Sequence, residues 1–208
     1  MKIFLTDISN MDDNIMNKGL ELVTDYRRGK VERCKFREDK ERSLAAGVLL
    51  NYATKMYAEY MKMQMKYEPV IDDVKDGIEC NVENNSKNNN GCDGKYNKEN
   101  NIEYKTDGNI IVNVRLDELV ENYDASYDYD IEYVANGKPV YRNSDIHFNL
   151  SHAGNYVVCA VSDKAVGVDI ERQRKNVIRV AKRFFTQTEC DWIGNDSLKF
   201  SRIWTLKE

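Results

Sequence analysis

The 208-residue sequence predicts a protein that mixes helices with strands, and three observations carry that prediction. Between Ile146 and Glu171, apolar residues either alternate with polar ones or form a short run, which is typical of three short strands. Glu41 to Met65 carries apolar residues three and four positions apart, as on one face of a helix. Tyr129 to Arg142 has the pattern of a strand, an Asn-Gly turn and a second strand.

The residues before position 67 are predicted to form one strand and two helices with a basic segment between the helices. Met1 to Ile8 has the composition of a strand, and Asp12 to Tyr26 has the apolar spacing of a helix. Residues 26–42 then hold eight Lys or Arg against four Asp or Glu. Most charge runs of this kind are solvated helix faces, so this is the first interpretation of the segment.

Residues 67–122 differ in composition from the rest, and the sequence predicts an insertion there. Residues 81–101 contain nine Asn in 21 positions and almost no apolar side chains. Because such a composition buries too little surface to offset the entropy of ordering, it predicts disorder or a long surface loop. A short strand over 109–115 and a small helix over 116–123 are predicted to follow, and the whole segment is predicted to lie outside the chemistry.

Three helices are predicted near the end of the sequence. Asn176 can cap the first of them. Thr186 and Glu189 have the T-x-x-E spacing of a capping box, which predicts the second. Phe200 to Glu208 begins the third, and because no helix stop signal follows, we expect this helix to continue in a longer natural chain.

Composition narrows the class of protein. The net charge is −4, so the charge of the whole molecule does not point to nucleic acid. The longest apolar runs are too short to span a bilayer, and the N-terminus lacks the apolar region of a signal peptide. Five cysteines without a C-x-x-C pair, and only two histidines, predict neither a disulfide framework nor a zinc site. We therefore expect a cytoplasmic protein without a membrane partner.

Asp169 and Glu171 are the first candidate site residues. Side chains two positions apart on a strand share a face and lie about 6.6 Å apart along it, so these two carboxylates stand together. Two carboxylates at that separation suit Mg²⁺, which usually takes one or two of them. The pair also fits two solvated acids on an exposed sheet face, because such pairs are common. An Mg²⁺-dependent nuclease fits less well, since no lysine follows at E-x-K spacing.

Five motifs stand in one order along the chain. They are Gly137-Lys138-Pro139; Phe148-Asn149-Leu150-Ser151-His152-Ala153-Gly154; Val166-Gly167-Val168-Asp169-Ile170-Glu171; Ala181-Lys182-Arg183-Phe184-Phe185; and Trp204-Thr205-Leu206-Lys207-Glu208. In these motifs the chain resembles the 4′-phosphopantetheinyl transferases of the Sfp type, whose signature is G-[VI]-D followed some 40 residues later by W-x-x-K-E. Residues 26–50 also resemble the first helical hairpin of that family, so the resemblance covers most of residues 1–60 and 129–208.

The resemblance implies a fold and a domain organisation. The fold is the α+β fold of the 4′-phosphopantetheinyl transferases, with two similar α/β halves in a pseudo-twofold arrangement and the C-terminal half truncated in this sequence. Residues 1–163 would form the N-terminal half, with the Asn-rich insertion at about 67–122. Residues 164–208 would be the incomplete start of the C-terminal half. The long insertion should be tolerated, because loop closure costs little extra entropy as a loop lengthens.

The resemblance also implies a reaction. The family transfers the 4′-phosphopantetheine group of coenzyme A to a serine of an apo acyl or peptidyl carrier protein, uses Mg²⁺, and releases adenosine 3′,5′-bisphosphate. A monomer is implied by the two-half architecture. The alternative is a non-catalytic module, derived from such an enzyme, that binds coenzyme A or the carrier protein.

Finally, the resemblance assigns site residues. It implies Asp169, Glu171 and Glu208 as the Mg²⁺ ligands. It implies catalytic roles for Asp169, Lys207 and Glu208, with Glu208 as the candidate general base, directly or through water. Contacts to coenzyme A are implied for Arg27, Lys30, Arg42, Lys138, Ser151 and His152. Arginine suits phosphate because its planar guanidinium can donate two parallel hydrogen bonds.

Overall fold

The computed structural model describes residues 1–66, 95–96, 102–106, 109–122, 130–134, 138–172 and 177–207. Strands and helices are mixed along the whole of this part of the chain, as the sequence predicts. In chain order the elements are β1 Lys2–Asp7, α1 Asp13–Glu21, α2 Asp25–Arg33, α3 Arg37–Lys66, β2 Lys95–Tyr96, β3 Ile102–Thr106, β4 Asn109–Asn113, α4 Leu116–Asn122, β5 Ile131–Tyr133, β6 Pro139–Tyr141, β7 His147–Ala153, β8 Tyr156–Ser162, α5 Ile178–Phe184, α6 Gln187–Ile193 and α7 Ser197–Lys207.

A mixed six-stranded sheet in the order β2-β3-β4-β1-β8-β7 organises the first part of the chain. Strand β1 pairs in parallel with β4 and antiparallel with β8, while β7 and β8 form an antiparallel hairpin. Gly154 turns this hairpin with φ +59°, a backbone conformation that residues with a Cβ rarely adopt. The backbone N–H of Ile8 donates to the carbonyl of Asn155 at 2.8 Å, which fixes the hairpin turn against the end of β1.

The long helix α3 covers one face of this sheet. Its buried face includes Leu44, Leu49 and Leu50, and it packs with Phe4 of β1 and Val161 of β8 in one apolar core. Burying each leucine stabilises the fold by about 1.5–3 kcal/mol relative to leaving it exposed. The apolar spacing of this segment therefore predicted both the helix and the face that it buries.

Helices α5, α6 and α7 form a second, smaller core. Its buried members include Ala181 of α5, Ile193 of α6 and Phe200 of α7. The predicted capping box is confirmed: the side chain of Thr186 accepts from the backbone N–H of Glu189, whose carboxylate accepts from the N–H of Thr186. This reciprocal pair satisfies two donors at the start of α6 that would otherwise lack partners.

Several predicted elements are confirmed, and two are wrong. Strand β1, helix α3, the β5–β6 pair and the β7–β8 hairpin lie where the sequence predicts them. The single helix predicted over Asp12 to Tyr26 is instead two helices. The backbone of Thr24 is extended, and its side chain caps α2 by accepting from the N–H of Arg27. The third strand predicted over Val166 to Glu171 is absent, since residues 165–172 have no regular structure.

The later part of the predicted insertion belongs to the sheet. Strand β4 lies beside β1, and β3 extends the sheet beyond it. Leu116 and Leu119 of α4 are buried in the main core, so residues 109–122 cannot be set apart from the fold. Most of the Asn-rich stretch and Asn176 lie outside the described residues. The boundary at residues 163 and 164 and the pseudo-twofold arrangement stay predictions.

None of the helices that the structure describes combines the length and the apolar character that crossing a bilayer requires.

Candidate functional site

Side chains of β7 hold the segment 165–172 that carries Asp169. The N–H of Val168 donates to Asn149 Oδ1 at 3.1 Å, and the N–H of Ile170 donates to Ser151 Oγ at 3.2 Å. The Ser151 hydroxyl in turn donates to Asp169 Oδ1 at 2.5 Å. In a third strand these backbone donors would bind a neighbouring backbone, but here two polar side chains of β7 accept them instead.

One oxygen of Asp169 is buried without a partner. Asp169 Oδ2 is inaccessible to solvent and accepts no hydrogen bond from the described residues. An unsatisfied buried carboxylate oxygen is costly, and a hard divalent cation would offset that cost. Glu171, two positions on, is partly buried and supplies a second carboxylate. The residues present therefore fit Mg²⁺, which usually keeps water and substrate oxygens as its other ligands.

The third predicted metal ligand lies outside the described residues. Glu208 follows directly on Lys207, the last described residue of α7. Among the residues that the structure describes, no cluster of three or more His, Cys, Asp or Glu is suited to a metal. The assignment of Asp169, Glu171 and Glu208 as metal ligands stays a prediction.

Two of the predicted coenzyme A residues, Arg42 and His152, lie at the β7–β8 hairpin. Arg42 of α3 donates from Nη1 to the carbonyl of Gly154 at 3.2 Å and from Nη2 to Asp39 Oδ1 at 2.7 Å. Partial burial lowers the pKa of His152, and the positive charges of Arg42 and Lys30 lower it further, while the carboxylate of Asp39 opposes them. The hairpin turn therefore has a cation paired with Asp39 beside an imidazole whose neutral form is favoured.

We expect the folded protein to lose stability as His152 becomes protonated. Because the folded state lowers the pKa of His152, the unfolded chain takes up the proton first as the pH falls, and stability declines below a pH of about 6.5. Urea unfolding of the wild type and of His152→Asn over about pH 5 to 8 measures this. The variant should decline less below that pH; equal declines would show that His152 is not the titrating group.

Arg27 lies apart from this turn, beside the β5–β6 pair. Burial lowers the pKa of Arg27, and the ring of Tyr133 on β5 packs 4.9 Å from that of Tyr26 on α2. Burial also raises the pKa of Tyr133 to about 12, so this phenol stays neutral and cannot pair with the guanidinium as an anion. No described residue accepts a hydrogen bond from the guanidinium of Arg27, which leaves it available to an anionic ligand.

Lys138 is on the same side of the molecule as Arg27. It immediately precedes β6, it is exposed, and its carbonyl accepts from the N–H of Val134 at 3.1 Å. The residue before it, Gly137, lies outside the described residues. The β5–β6 pair therefore brings Lys138 and Tyr133 into the region of α2.

Lys207 is held by another element of the small core. Its ammonium binds Glu189 Oε2 of the capping box at 2.8 Å and lies 4.9 Å from the centre of the Phe185 ring. This ion pair holds the end of α7 against the start of α6. The lysine for which the resemblance implies a catalytic role is therefore already in an ion pair.

Two residues near the site were missed by the sequence analysis. Asn149 holds the segment 165–172, and Arg172 packs over the hairpin turn, where a Cβ on Gly154 would lie 3.1 Å from its Nε. Arg172 and Glu171 line a recess of about 250 Å³ beside the turn, and Asn149 holds the segment that carries them. The sequence feature that could have identified Asn149 is its position on the same face of β7 as Ser151. No sequence feature pointed to Arg172.

The comparison with protein families matches the segment that contains these carboxylates. Residues 165–208 match the family described as the 4′-phosphopantetheinyl transferase superfamily. Asp169, Glu171, Lys207 and Glu208 all lie within the matched residues. The chain is thus similar, in this segment, to enzymes of the phosphopantetheinyl transferase class.

Individual relatives agree with this class. The 4′-phosphopantetheinyl transferase gsp of Aneurinibacillus migulanus is 42% identical over 77 residues, which cover 35% of this chain and 32% of that protein. Sfp of Bacillus subtilis is 38% identical over 78 residues, 35% of each chain. HetI of Nostoc sp. is 36% identical over 89 residues, 37% of this chain and 38% of that protein. The chain thus spans about a third of the length of the curated relatives it matches, and the predicted resemblance to Sfp-type enzymes is confirmed.

Proposed function

We propose that this protein transfers 4′-phosphopantetheine from coenzyme A to a serine of an acyl or peptidyl carrier protein and releases adenosine 3′,5′-bisphosphate. The observation that carries the proposal is Asp169, whose second carboxylate oxygen is buried and accepts no hydrogen bond from the described residues, inside the segment that matches the transferase family. A buried, oriented carboxylate of this kind is what a divalent cation at a pyrophosphate needs.

The metal-holding residues follow from that carboxylate. Asp169 and Glu171 would hold Mg²⁺ together with Glu208. When Mg²⁺ is bound, it neutralises part of the negative charge of the pyrophosphate. Ser151 donates to Asp169 Oδ1 and so holds the orientation of this carboxylate, and Oδ2 would be left as the donor to the metal. Glu208 is proposed as the general base that takes the proton of the carrier serine, directly or through water.

The cations of the chain would bind the phosphates. Arg42 and His152 lie at the β7–β8 hairpin, Lys30 and Arg27 are both on α2, and Lys138 precedes β6, which pairs with the strand of Tyr133 beside Arg27. Coenzyme A carries a pyrophosphate and a separate 3′-phosphate, so two groups of cations suit two groups of anions. The carboxylates of Asp169 and Glu171 are on the segment that packs on β7, the strand that carries His152.

Lys207 has a narrower role in this proposal. Because its ammonium is bound by Glu189, it holds the end of α7 against the start of α6. A direct contact with phosphate would require that ion pair to open. We therefore assign the positioning of Glu208 to Lys207. We assign the neutralisation of the phosphate charge to the arginines and lysines of α2 and α3.

A transfer assay tests the proposed function. The protein is incubated with an apo carrier protein, coenzyme A and Mg²⁺, and the carrier is weighed by mass spectrometry. A gain of one phosphopantetheine group supports the proposal. Binding of coenzyme A without transfer would contradict it and would favour the non-catalytic module. Size-exclusion chromatography of the same sample tests the proposed monomer. The three cysteines among the described residues form no disulfide, which fits a proposed location in the reducing cytoplasm.

Gly47→Ala is expected to weaken the binding of coenzyme A about tenfold. A Cβ at Gly47 would lie 2.8 Å from Arg27 Cγ and 3.0 Å from Val23 Cγ1, so the stem of Arg27 must move. Displacing the guanidinium removes a charge-assisted hydrogen bond to phosphate. Isothermal titration calorimetry with coenzyme A measures the change in Kd.

The matched control is Gly29→Ala, on the same helix as Arg27. A Cβ there meets only Arg33 Nη1, at an ordinary 3.6 Å, and alanine favours the helix. Its Kd for coenzyme A should equal that of the wild type. An unchanged Kd for Gly47→Ala would show that Arg27 does not bind the ligand.

A further inference from the structure

A groove with an apolar floor and a basic rim lies between α1 and the start of α3, away from the candidate site. Its open volume is about 560 Å³. Two apolar side chains of α1, Met16 and Leu20, pack against the main core and also line the groove. The complete lining, which we call the α1–α3 groove, is Asp13, Met16, Asn17, Leu20, Lys35, Arg37 and Lys40.

The charges of the rim are only partly neutralised within the chain. Arg37 binds Asp13 Oδ1 and Glu41 Oε1, each at 2.8 Å, so its charge is already paired. Lys35 and Lys40 make no ion pair with any described residue. Their two ammonium groups therefore face the groove without a counter-charge from this part of the chain, although the protein as a whole carries a net charge of −4.

Phe36 stands between these cations in the connection from α2 to α3. Its side chain is 67% exposed, more than any other aromatic residue among the exposed large apolar residues of the described chain. The carbonyl of Phe36 accepts from the N–H of Lys40 at 3.2 Å, so the first turn of α3 holds the backbone of Phe36. Exposed aromatic side chains of this kind are frequent anchors in protein interfaces.

We propose that the α1–α3 groove docks an acidic amphipathic helix of a partner protein. The apolar face of such a helix would contact Met16 and Leu20, and its carboxylates would lie opposite Lys35 and Lys40. The exposed Phe36, which follows Lys35 in the chain and is not part of the groove lining, would be a further contact beside it. The apolar floor and the two cations without an ion pair are complementary to an acidic amphipathic helix. None of the groove residues is among the coenzyme A or metal residues, so the inference does not depend on the proposed transfer reaction.

A labelled peptide tests the groove. The probe is a synthetic helix of about four turns with Glu on one face and Leu and Phe on the other, and fluorescence anisotropy measures its Kd at low salt. The double variant Lys35→Glu/Lys40→Glu should bind about tenfold more weakly, because two attractions become repulsions. Phe36→Ala should bind about fivefold more weakly. Wild-type binding should also weaken as salt is added.

The control is a second basic surface of the same chain. Lys182 and Arg183 are exposed on α5, beside the 55% exposed Phe184, and Lys182→Glu/Arg183→Glu changes the net charge by the same amount. This variant should bind the peptide as the wild type does. An equal loss in the control, or no binding by the wild type, would overturn the proposal. So would binding to vesicles of phosphatidylserine and phosphatidylcholine in place of the peptide.

Discussion

Asp169→Ala is expected to lower phosphopantetheine transfer by more than about a thousandfold while the protein stays folded. Asp169 Oδ2 is the buried oxygen without a partner, and it lies in the segment that matches the transferase family. Removing it removes the ligand that would place Mg²⁺ at the pyrophosphate. The transfer assay at saturating Mg²⁺ measures the effect on the rate.

Stability separates this effect from unfolding. The wild-type carboxylate makes one hydrogen bond, from Ser151, and leaves its other oxygen unsatisfied, so its removal should cost at most about 1 kcal/mol in the free energy of unfolding. Asp169→Asn keeps an acceptor for Ser151 and should be as inactive as the alanine variant. Asp145→Asn removes a surface-exposed carboxylate and should retain full activity. Near-normal transfer by either Asp169 variant would refute the metal assignment.

Ser151→Ala is expected to lower the rate of transfer by about 10- to 100-fold, mainly because the variant should bind Mg²⁺ more weakly. The Ser151 hydroxyl donates to Asp169 Oδ1 and accepts from the N–H of Ile170. Without it, the segment 165–172 loses two of its attachments to β7, and Asp169 is no longer held in one orientation. A titration of transfer rate against Mg²⁺ should show a higher half-saturating concentration.

Two further variants show what Ser151 does. Ser151→Thr keeps the hydroxyl and should restore most of the activity. Asn149→Ala removes only the bond to the N–H of Val168 and should have a smaller effect than Ser151→Ala. A higher KM for coenzyme A with an unchanged Mg²⁺ dependence would instead identify Ser151 as a phosphate donor, as the sequence analysis suggested.

Helices and strands that depend on residues close together in the chain were predictable from the sequence. The spacing of leucines fixed α3, and the T-x-x-E pattern fixed the start of α6, because both depend on residues a few positions apart. The alternation of β7 and the apolar run of β8 identified the hairpin for the same reason. The break between α1 and α2 was missed because the cap at Thr24 lies within a segment whose apolar spacing continues across it.

The third strand was mispredicted for a different reason. The alternation of residues 166–171 is typical of a strand, but a strand forms only if a neighbouring backbone accepts its donors. Asn149 and Ser151 accept those donors with their side chains, which leaves the segment extended but outside the sheet. Nothing within the segment itself distinguishes these two outcomes.

The pair of carboxylates, the order of the motifs and the resemblance to a phosphopantetheinyl transferase could all be read from the amino-acid sequence. The folded structure was needed to show that one oxygen of Asp169 binds Ser151 while the other is buried without a hydrogen bond from the described residues. It also decided that Arg42 and His152 meet at the hairpin turn, whereas Arg27 lies with Tyr133. These contacts join residues far apart in the chain, and burial depends on how whole elements pack, so no local pattern encodes them.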